Sequence, residues 1–357
     1  MKKFVVNIVA YLFPIGAVIM GINCFVDPAH VYSGSKYEKQ MVEMLLASKR
    51  NVTNVDLNYK VRNFKALLCE SNPDSVDIVV LGSSRVMCIS EKCFQGKRIM
   101  NLGVSGGIIT DECALMSACY NNGQCPKIVV LGVDPFYFND NNNETRWKEI
   151  EFWYNHYQTE TNGKRLSIWQ HFNKEKWINL FSLSYFQHSI RYHEKSKSEL
   201  MVTEDFNNEK KTIHHDGSIS YGEDLRSRLQ EEVDEVAKTY THPQWKNYSC
   251  ISREKSEEFQ GLIDYIKLHG SEIVLFLSPY HPITWQRFMS QIEYKEVKNA
   301  EILVDRIAKE NDLTVIGNWD PNKCGCDETC FYDATHLNEK GLYVLFKDFQ
   351  LNQRMLK

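Results

Sequence analysis

The sequence is short of three things: a basic stripe, internal repeats and long apolar runs. Its 42 lysines and arginines are scattered among 46 acidic residues, and the formal net charge is −4. Nucleic-acid-binding proteins normally carry a basic face, so this class is disfavoured and no nucleic-acid partner is expected. With 357 residues the chain is long enough for one large domain with an insertion, or for two modest domains.

Only one apolar run is long enough to cross a membrane. Phe4 to Val26 contains no charged residue, and a membrane-spanning helix needs about 20 residues. Two lysines precede the run and an aspartate follows it, so the positive-inside rule places the N-terminus in the cytoplasm. A cleaved signal peptide is the alternative, but the run ends in a poor cleavage site at 21–24. The sequence therefore predicts a single-pass anchor over 1–26, with the rest in the periplasm or cell exterior.

The eleven cysteines leave two questions open. In an oxidising exterior the ten that follow the anchor could form several disulfides, but their pairing cannot be deduced from sequence. Cys324, Cys326 and Cys330 also precede His336 closely enough to suggest a zinc site. The Cys-x-Cys spacing of the first two is uncommon in such sites, so disulfides or free thiols are favoured and no metal or other cofactor is expected.

Short apolar runs that end at a turn predict strands buried on both faces of a sheet. The strongest are 77–82, 127–133 and 272–277, and 98–102 and 313–317 are weaker. Between them, apolar residues recur at helical spacing in 108–120, 253–268 and 300–310, and a last helix is expected over 337–349. Strands that alternate with helices predict an α/β fold, a three-layer α/β/α arrangement around a parallel sheet.

The remaining segments do not follow this alternation. Residues 27–76 are predicted to form a stalk and a helical lead-in, with helices over 36–50 and 58–70. The α/β domain is expected over 77–357, interrupted by an insertion at about 139–248 that is rich in aromatic and polar residues. A helix is expected near 169–191. The insertion is either a lid over the functional edge of the sheet or a solvated decoration.

Ser84 is the first candidate for chemistry. It lies in Gly82-Ser83-Ser84-Arg85, directly after a predicted strand, and ligands of open α/β sheets gather beyond the carboxyl ends of strands. A serine that opens a helix has backbone N–H groups nearby that favour developing negative charge. The simpler interpretation is that Ser83 or Ser84 is an N-cap.

Two more segments follow predicted strand ends. Asn101 to Gly107 contains three glycines, which either allow backbone N–H groups to approach a ligand or simply form a tight turn. Asp333 precedes His336 by three residues, so the carboxylate could orient the ring and leave Nε2 to accept a proton from a serine hydroxyl. The alternative is a surface Asp and His at the start of a helix.

Together, these three segments resemble the SGNH (or GDSL) hydrolase superfamily in order and placement. The resemblance covers residues 77–357 outside the insertion. The N-terminal anchor is similar to a membrane-tethered branch that includes D-alanyl-lipoteichoic acid biosynthesis and polysaccharide acetyltransferase-like proteins. The resemblance implies that Ser84 is the nucleophile, His336 the base and Asp333 its orienter. It also implies that Gly106 and the Ser84 amide donate to the oxyanion.

The expected function is that of a serine esterase or O-acyltransferase acting on acyl groups of cell-envelope glycans. The resemblance also implies a partner, a multi-pass membrane acyltransferase that delivers the acyl group. The alternative is a catalytically inactive assembly or binding protein with the same fold.

One position departs from the superfamily pattern. Where the third block supplies an oxyanion-hole asparagine, this chain has Asp134, and an ionised carboxylate only accepts hydrogen bonds. Loss of one such donor typically costs about 100- to 1000-fold in rate. Either Asp134 is protonated, another group such as Asn139 or Arg85 donates, or Asp134 has another task. An ion pair between Arg85 and Asp134 is the preferred interpretation.

Two further segments receive weaker predictions. Tyr280 and His281 follow a strand end and are candidates for lining the substrate cleft, although a proline-bounded structural loop is the simpler interpretation. His214 to Gly217 is expected to be a turn, and metal binding there is a remote alternative.

Overall fold

The structure, a computed structural model, describes residues 2–27, 35–56, 58–94, 96–163, 174–194, 199–245, 247–347 and 349. The strands within these residues are β1 (Asn51–Thr53), β2 (Ile78–Leu81), β3 (Ile99–Asn101), β4 (Ile128–Gly132), β5 (Met201–Thr203), β6 (Thr212–Ile213), β7 (Ile219–Ser220), β8 (Glu272–Leu277) and β9 (Thr314–Gly317). The α-helices are α1 (Lys2–Val26), α2 (Lys36–Ser48), α3 (Val61–Ser71), α4 (Ile109–Asn121), α5 (Glu151–Asn162), α6 (Lys174–Phe181), α7 (Leu183–Glu194), α8 (Glu223–Arg226), α9 (Gln230–Thr239), α10 (Arg253–Leu268), α11 (Pro282–Ser290), α12 (Lys295–Glu310) and α13 (Glu339–Phe346).

A five-stranded parallel sheet with the order β3-β2-β4-β8-β9 forms the centre of the molecule. Numbered along its own strands, this is the doubly wound order 2-1-3-4-5. Every predicted strand is present, and the predicted α/β class with a parallel sheet is confirmed. Ligands of such sheets bind beyond the carboxyl ends of the strands, near the point where the strand order reverses.

The side chains of the central strands divide between two apolar cores. Val79 and Leu81 of β2 face one core, whereas Ile78 and Val80 face the other, because side chains alternate along a strand. Helices α3, α4, α10 and α12 cover the first face, and α13 with short 3-10 turns covers the second. Helical elements therefore pack on both faces of the sheet, and they cover the second face more thinly.

A second, antiparallel sheet with the order β5-β1-β6-β7 is absent from the prediction. Val52 of β1 pairs with both Val202 of β5 and Ile213 of β6, so the lead-in pairs with strands of the insertion. These strands are only two or three residues long. The lead-in from residue 35 onward is therefore packed into the fold, and residues 28–34, where the predicted stalk begins, lie outside the described residues.

Helix α1 covers the predicted anchor and contacts the insertion. The Asn23 side-chain amide donates to carbonyl oxygens of Asn179, Leu180 and Ser182, at 3.0 to 3.1 Å, where α6 ends and α7 begins. Among the residues that the structure describes, no helix is both long and apolar enough to cross a membrane, so the predicted transmembrane anchor is not supported. The helix expected near 169–191 is split into α6 and α7, and 169–173 lies outside the described residues.

Candidate active site

Ser84, Asp333 and His336 lie in one chain of hydrogen bonds. Ser84 Oγ lies 2.9 Å from His336 Nε2, and His336 Nδ1 lies 2.9 Å from Asp333 Oδ2. Both ring nitrogens of His336 are therefore engaged, one toward the serine and one toward the carboxylate. This is the order of a nucleophile, a general base and the group that orients the base.

The main chain around Asp333 fixes its carboxylate. Oδ1 accepts hydrogen bonds from the backbone N–H groups of Thr335 at 2.8 Å and His336 at 2.9 Å. Burial raises the pKa of Asp333, but the charge of His336 and these hydrogen bonds outweigh burial and hold the pKa well below its ordinary value. Asp333 is consequently ionised near neutral pH and can stabilise a protonated His336.

Ser84 occupies a tighter turn than predicted. It begins a 3-10 turn of three residues, Ser84–Val86, and Ser83 caps this turn by accepting a hydrogen bond from the Arg85 N–H. The expected helix is therefore reduced to one turn, and the contribution of a helix dipole is correspondingly small. Ser83 is buried and Ser84 is partly exposed, so the cap and the candidate nucleophile are different residues.

Arg85 and Asp134 form the buried ion pair that the sequence favoured. Asp134 Oδ2 also accepts a hydrogen bond from Ser83 Oγ at 2.5 Å. The Arg85 guanidinium donates to the carbonyl oxygens of Ser278, Pro279 and Thr335, which joins the ends of β4 and β8 to the loop that carries the histidine. Because both side chains are about 95% buried or more, they support the site from the protein interior and are not exposed to a substrate.

Two backbone N–H groups remain available as oxyanion donors. Neither the Ser84 nor the Gly106 N–H makes a hydrogen bond among the described residues. Gly107 keeps this loop close to the serine, since a Cβ there would lie 2.7 Å from the Gly82 carbonyl oxygen. Gly106 has a φ of +58°, which favours glycine, and a Cβ on it would collide with the Arg146 guanidinium.

The insertion supplies side chains around the site that sequence reasoning missed. The Arg146 guanidinium lies over Gly106 and pairs with Glu144, and Gln244 Nε2 donates to the Gly106 carbonyl oxygen at 3.4 Å. On the other side, the Tyr221 ring packs edge-on against His336 with centroids 5.7 Å apart. The aromatic and polar composition of the insertion was the only sequence signal for these contacts.

Three predicted binding residues do not reach the site. Tyr280 and His281 are fully buried, so they do not line an open cleft. The Tyr280 ring stacks under Arg85, 3.7 Å from the guanidinium carbon, and His281 caps α11 by accepting from the Ile283 N–H. Asn139 is also buried, with its amide donating to the Gln244 carbonyl oxygen, so it is not an oxyanion donor. These side chains hold loops together.

The structure does not assemble the alternative metal site. Among the described residues, no three His, Cys, Asp or Glu side chains are arranged to hold a metal ion, and the His336 nitrogens face Ser84 and Asp333. All eleven cysteines are free thiols. His214 to Gly217 forms the predicted turn, closed by a hydrogen bond from the Gly217 N–H to the His214 carbonyl oxygen.

Comparisons with known proteins add little. No profile of a known protein family matches the chain, and no curated protein matches it either. One similar solved structure is that of a “putative platelet activating factor from Streptococcus pneumonia”, with a TM-score of 0.39 and 11% identity over 83% of this chain and 91% of that one. This likeness is too distant to support an argument about activity.

Proposed function

We propose that the protein is a serine esterase or O-acyltransferase. The observation that carries the proposal is the hydrogen-bond chain from Ser84 Oγ through His336 to Asp333. Ser84 Oγ attacks an acyl carbonyl carbon while its proton passes to His336 Nε2, and the ionised Asp333 stabilises the imidazolium. The N–H groups of Ser84 and Gly106 stabilise the oxyanion.

The second half of the reaction releases the enzyme. The leaving alkoxide takes the proton from His336, and an acyl-Ser84 ester remains. His336 then accepts a proton from water, which gives hydrolysis, or from an acceptor hydroxyl, which gives transfer. The oxygen of that water or hydroxyl bonds to the acyl carbon. Collapse of the resulting tetrahedral intermediate breaks the bond to Ser84 Oγ, and His336 returns its proton to Oγ, which regenerates the serine.

Cell-envelope glycans are the proposed substrates. Tyr221 on the His336 side and Gln244 and Arg146 on the Gly106 side place aromatic and hydrogen-bonding groups around the serine. Such groups suit a hydroxylated ligand such as a sugar, because aromatic faces pack against its C–H groups and polar side chains bond its hydroxyls. This substrate class rests on the superfamily resemblance together with that composition.

Attachment to a membrane through α1 belongs to the same proposal. Tyr11, Leu12, Phe13, Ile15 and Val18 are each more than half exposed, although no charged residue lies between 4 and 26. An uncharged helix with so many exposed apolar side chains favours a lipid environment. An exterior α/β domain and a multi-pass acyltransferase that supplies the acyl group complete the proposed arrangement.

A catalytically inactive binding protein is the second candidate, because Asp134 replaces an oxyanion donor. Asp134 is fully engaged with Arg85 and Ser83, so it cannot contribute to the oxyanion hole. The distance of 2.9 Å between Ser84 Oγ and His336 Nε2 favours the enzyme over this candidate. In the proposed enzyme the Arg146 guanidinium, which lies adjacent to Gly106, replaces the missing donor.

Two measurements on separate samples test the proposal. One is labelling with a serine-directed fluorophosphonate, and the other is hydrolysis of p-nitrophenyl acetate. We expect labelling and turnover by the parent chain, and neither in Ser84→Ala. Asp333→Asn should lower kcat by about 10⁴-fold, because the ring then loses its orienting carboxylate. Ser75→Ala is the matched control, since this exposed serine lies at the opposite end of β2 from Ser84 and the variant should be labelled like the parent chain. Absence of labelling in the folded parent chain would favour the binding protein.

A further inference from the structure

A cavity of about 620 Å³ is lined mainly by residues between 88 and 97 and by helix α13. Its apolar wall consists of Phe94, Phe206, Ile219, Leu342, Phe346 and Phe349. Ligand pockets of proteins typically enclose about 300–1000 Å³ and are mostly apolar, with a few polar groups that orient the ligand. The volume of this cavity falls within that range, and its wall is largely apolar.

The wall is preformed by ring packing. The rings of Phe94 and Phe346 meet edge to face with centroids 5.3 Å apart, and Phe349 packs edge-on against both at 6.2 and 6.1 Å. Phe346 also stacks on Phe276 of the central sheet at 5.5 Å. The apolar surface is therefore held in place by the core, and a ligand would not have to organise it.

The charged groups of the cavity are mainly cationic. Lys92, Lys97 and Lys347 line it, and none of the three forms an ion pair among the described residues. Lys92 Nζ lies 3.1 Å from the centroid of the Phe206 ring, so one ammonium is held directly beside the apolar wall. Glu339 is the acidic lining residue, and its carboxylate accepts a hydrogen bond from the Asn207 side chain. The cavity thus combines an apolar interior with excess positive charge.

We propose that this lysine-rimmed pocket binds an amphiphile that has an anionic head group and an acyl or alkyl tail. The tail packs against the phenylalanine rings, and the head group pairs with the lysines. The site is separate from the candidate active site, because the rings of Tyr332 and Tyr221 lie between the cavity and His336. It does not depend on the function proposed above.

The test uses the full chain and isothermal titration with dodecyl phosphate below its critical micelle concentration. Dodecyltrimethylammonium, with the same tail and the opposite charge, is the matched probe. We expect dodecyl phosphate to bind at one site and the cationic probe to bind at least about tenfold more weakly, since only the anionic head group can pair with the lysines. Equal dissociation constants for the two probes, or no binding of either, would overturn the proposal.

Variants and thiol protection locate the site. The triple variant Lys92→Gln, Lys97→Gln, Lys347→Gln should weaken dodecyl phosphate at least about tenfold, whereas Lys309→Gln on the exposed side of α12 should change it less than about twofold. Cys93 lines the cavity and Cys250 lies exposed elsewhere. At ten times its dissociation constant, dodecyl phosphate should slow alkylation of Cys93 about tenfold and leave Cys250 unchanged. Unchanged alkylation of Cys93 would place the amphiphile elsewhere, for example on α1, and overturn the proposal.

Discussion

Asp134 shows how one residue can depart from a catalytic pattern and still be needed by the site. Its carboxylate accepts from Ser83 on one side and pairs with Arg85 on the other. Arg85 in turn holds the main chain at Ser278 and Thr335, so the pair connects the serine turn to the histidine loop. An asparagine at this position would leave the buried guanidinium without its counter-ion.

We predict that Asp134→Asn does not restore an oxyanion donor. Removal of one partner from a buried ion pair typically costs about 3–5 kcal/mol, because the remaining charge is left unpaired. The free energy of unfolding, measured in urea, should fall by that amount, and kcat for p-nitrophenyl acetate should not rise. Asp327→Asn, at an exposed ion pair, is the control and should cost about 1 kcal/mol or less. A higher kcat for Asp134→Asn would mean that residue 134 does face the oxyanion.

Some strands and site residues of this protein can be predicted from its sequence, and others cannot. Strands β2, β4 and β8 are apolar on both faces, so their runs are readable without tertiary information. Strands β1, β5, β6 and β7 are two or three residues long, and only their mutual pairing makes them strands. The sequence indicates Ser84 because it closely follows a predicted strand, and His336 because it directly precedes a predicted helix. Arg146 was missed because its place over Gly106 depends on how the insertion folds back.

Lys65 on α3 links the parallel sheet to the antiparallel sheet, and it should make the free energy of unfolding depend on pH. Its buried ammonium donates to the carbonyl oxygens of Asn101 and Gly217, and burial, aided by Lys211, lowers its pKa from 10.5 to about 7. Between these values Lys65 is more protonated in the unfolded chain than in the folded chain, so its contribution to the free energy of unfolding rises with pH.

The prediction is measured by urea unfolding of the parent chain and of Lys65→Met between about pH 7 and 8.5. Thiols whose pKa is raised by burial, such as those of Cys69, Cys88 and Cys113, lower the free energy of unfolding of both chains as pH rises toward the ordinary cysteine pKa. The free energy of unfolding of the parent chain should therefore rise relative to that of Lys65→Met across this window, whereas its difference from Lys309→Met, at an exposed position, should stay constant. A constant difference between the parent chain and Lys65→Met would show that Lys65 remains charged in the fold.

At the scale of the whole molecule, α1 stands apart from the α/β domain in the character of its surface. Leu12, Phe13 and Ile15 are 60%, 74% and 57% exposed, and they lie in a helix that packs against α6 and α7. Exposed apolar residues elsewhere, such as Leu268, Ile292 and Ile302, are scattered singly. Single exposures are ordinary in soluble proteins, whereas a continuous series along one helix calls for a partner surface.

We predict that Leu12→Asp, Phe13→Asp, Ile15→Asp together release the chain from lipid vesicles. Each aspartate at the centre of an apolar helix costs about 3 kcal/mol, so partitioning into phosphatidylcholine–phosphatidylglycerol vesicles should fall at least about a hundredfold in flotation. The control variant carries Leu268→Asp, Ile292→Asp and Ile302→Asp. It adds the same three negative charges, but at exposed positions outside α1. Equal flotation of both variants would show that α1 does not hold the chain on lipid.

The serine and its base are 252 positions apart in the chain, although their side chains touch. At a synthesis rate of about 5–20 residues per second, the histidine leaves the ribosome roughly 10–50 s after the serine. Throughout that interval the nascent chain carries a serine without a base, and its reactivity is that of an ordinary hydroxyl. If the protein is an esterase, its activity therefore begins only when the C-terminal segment has folded, so chains cut short before residue 336 are harmless to esters around them.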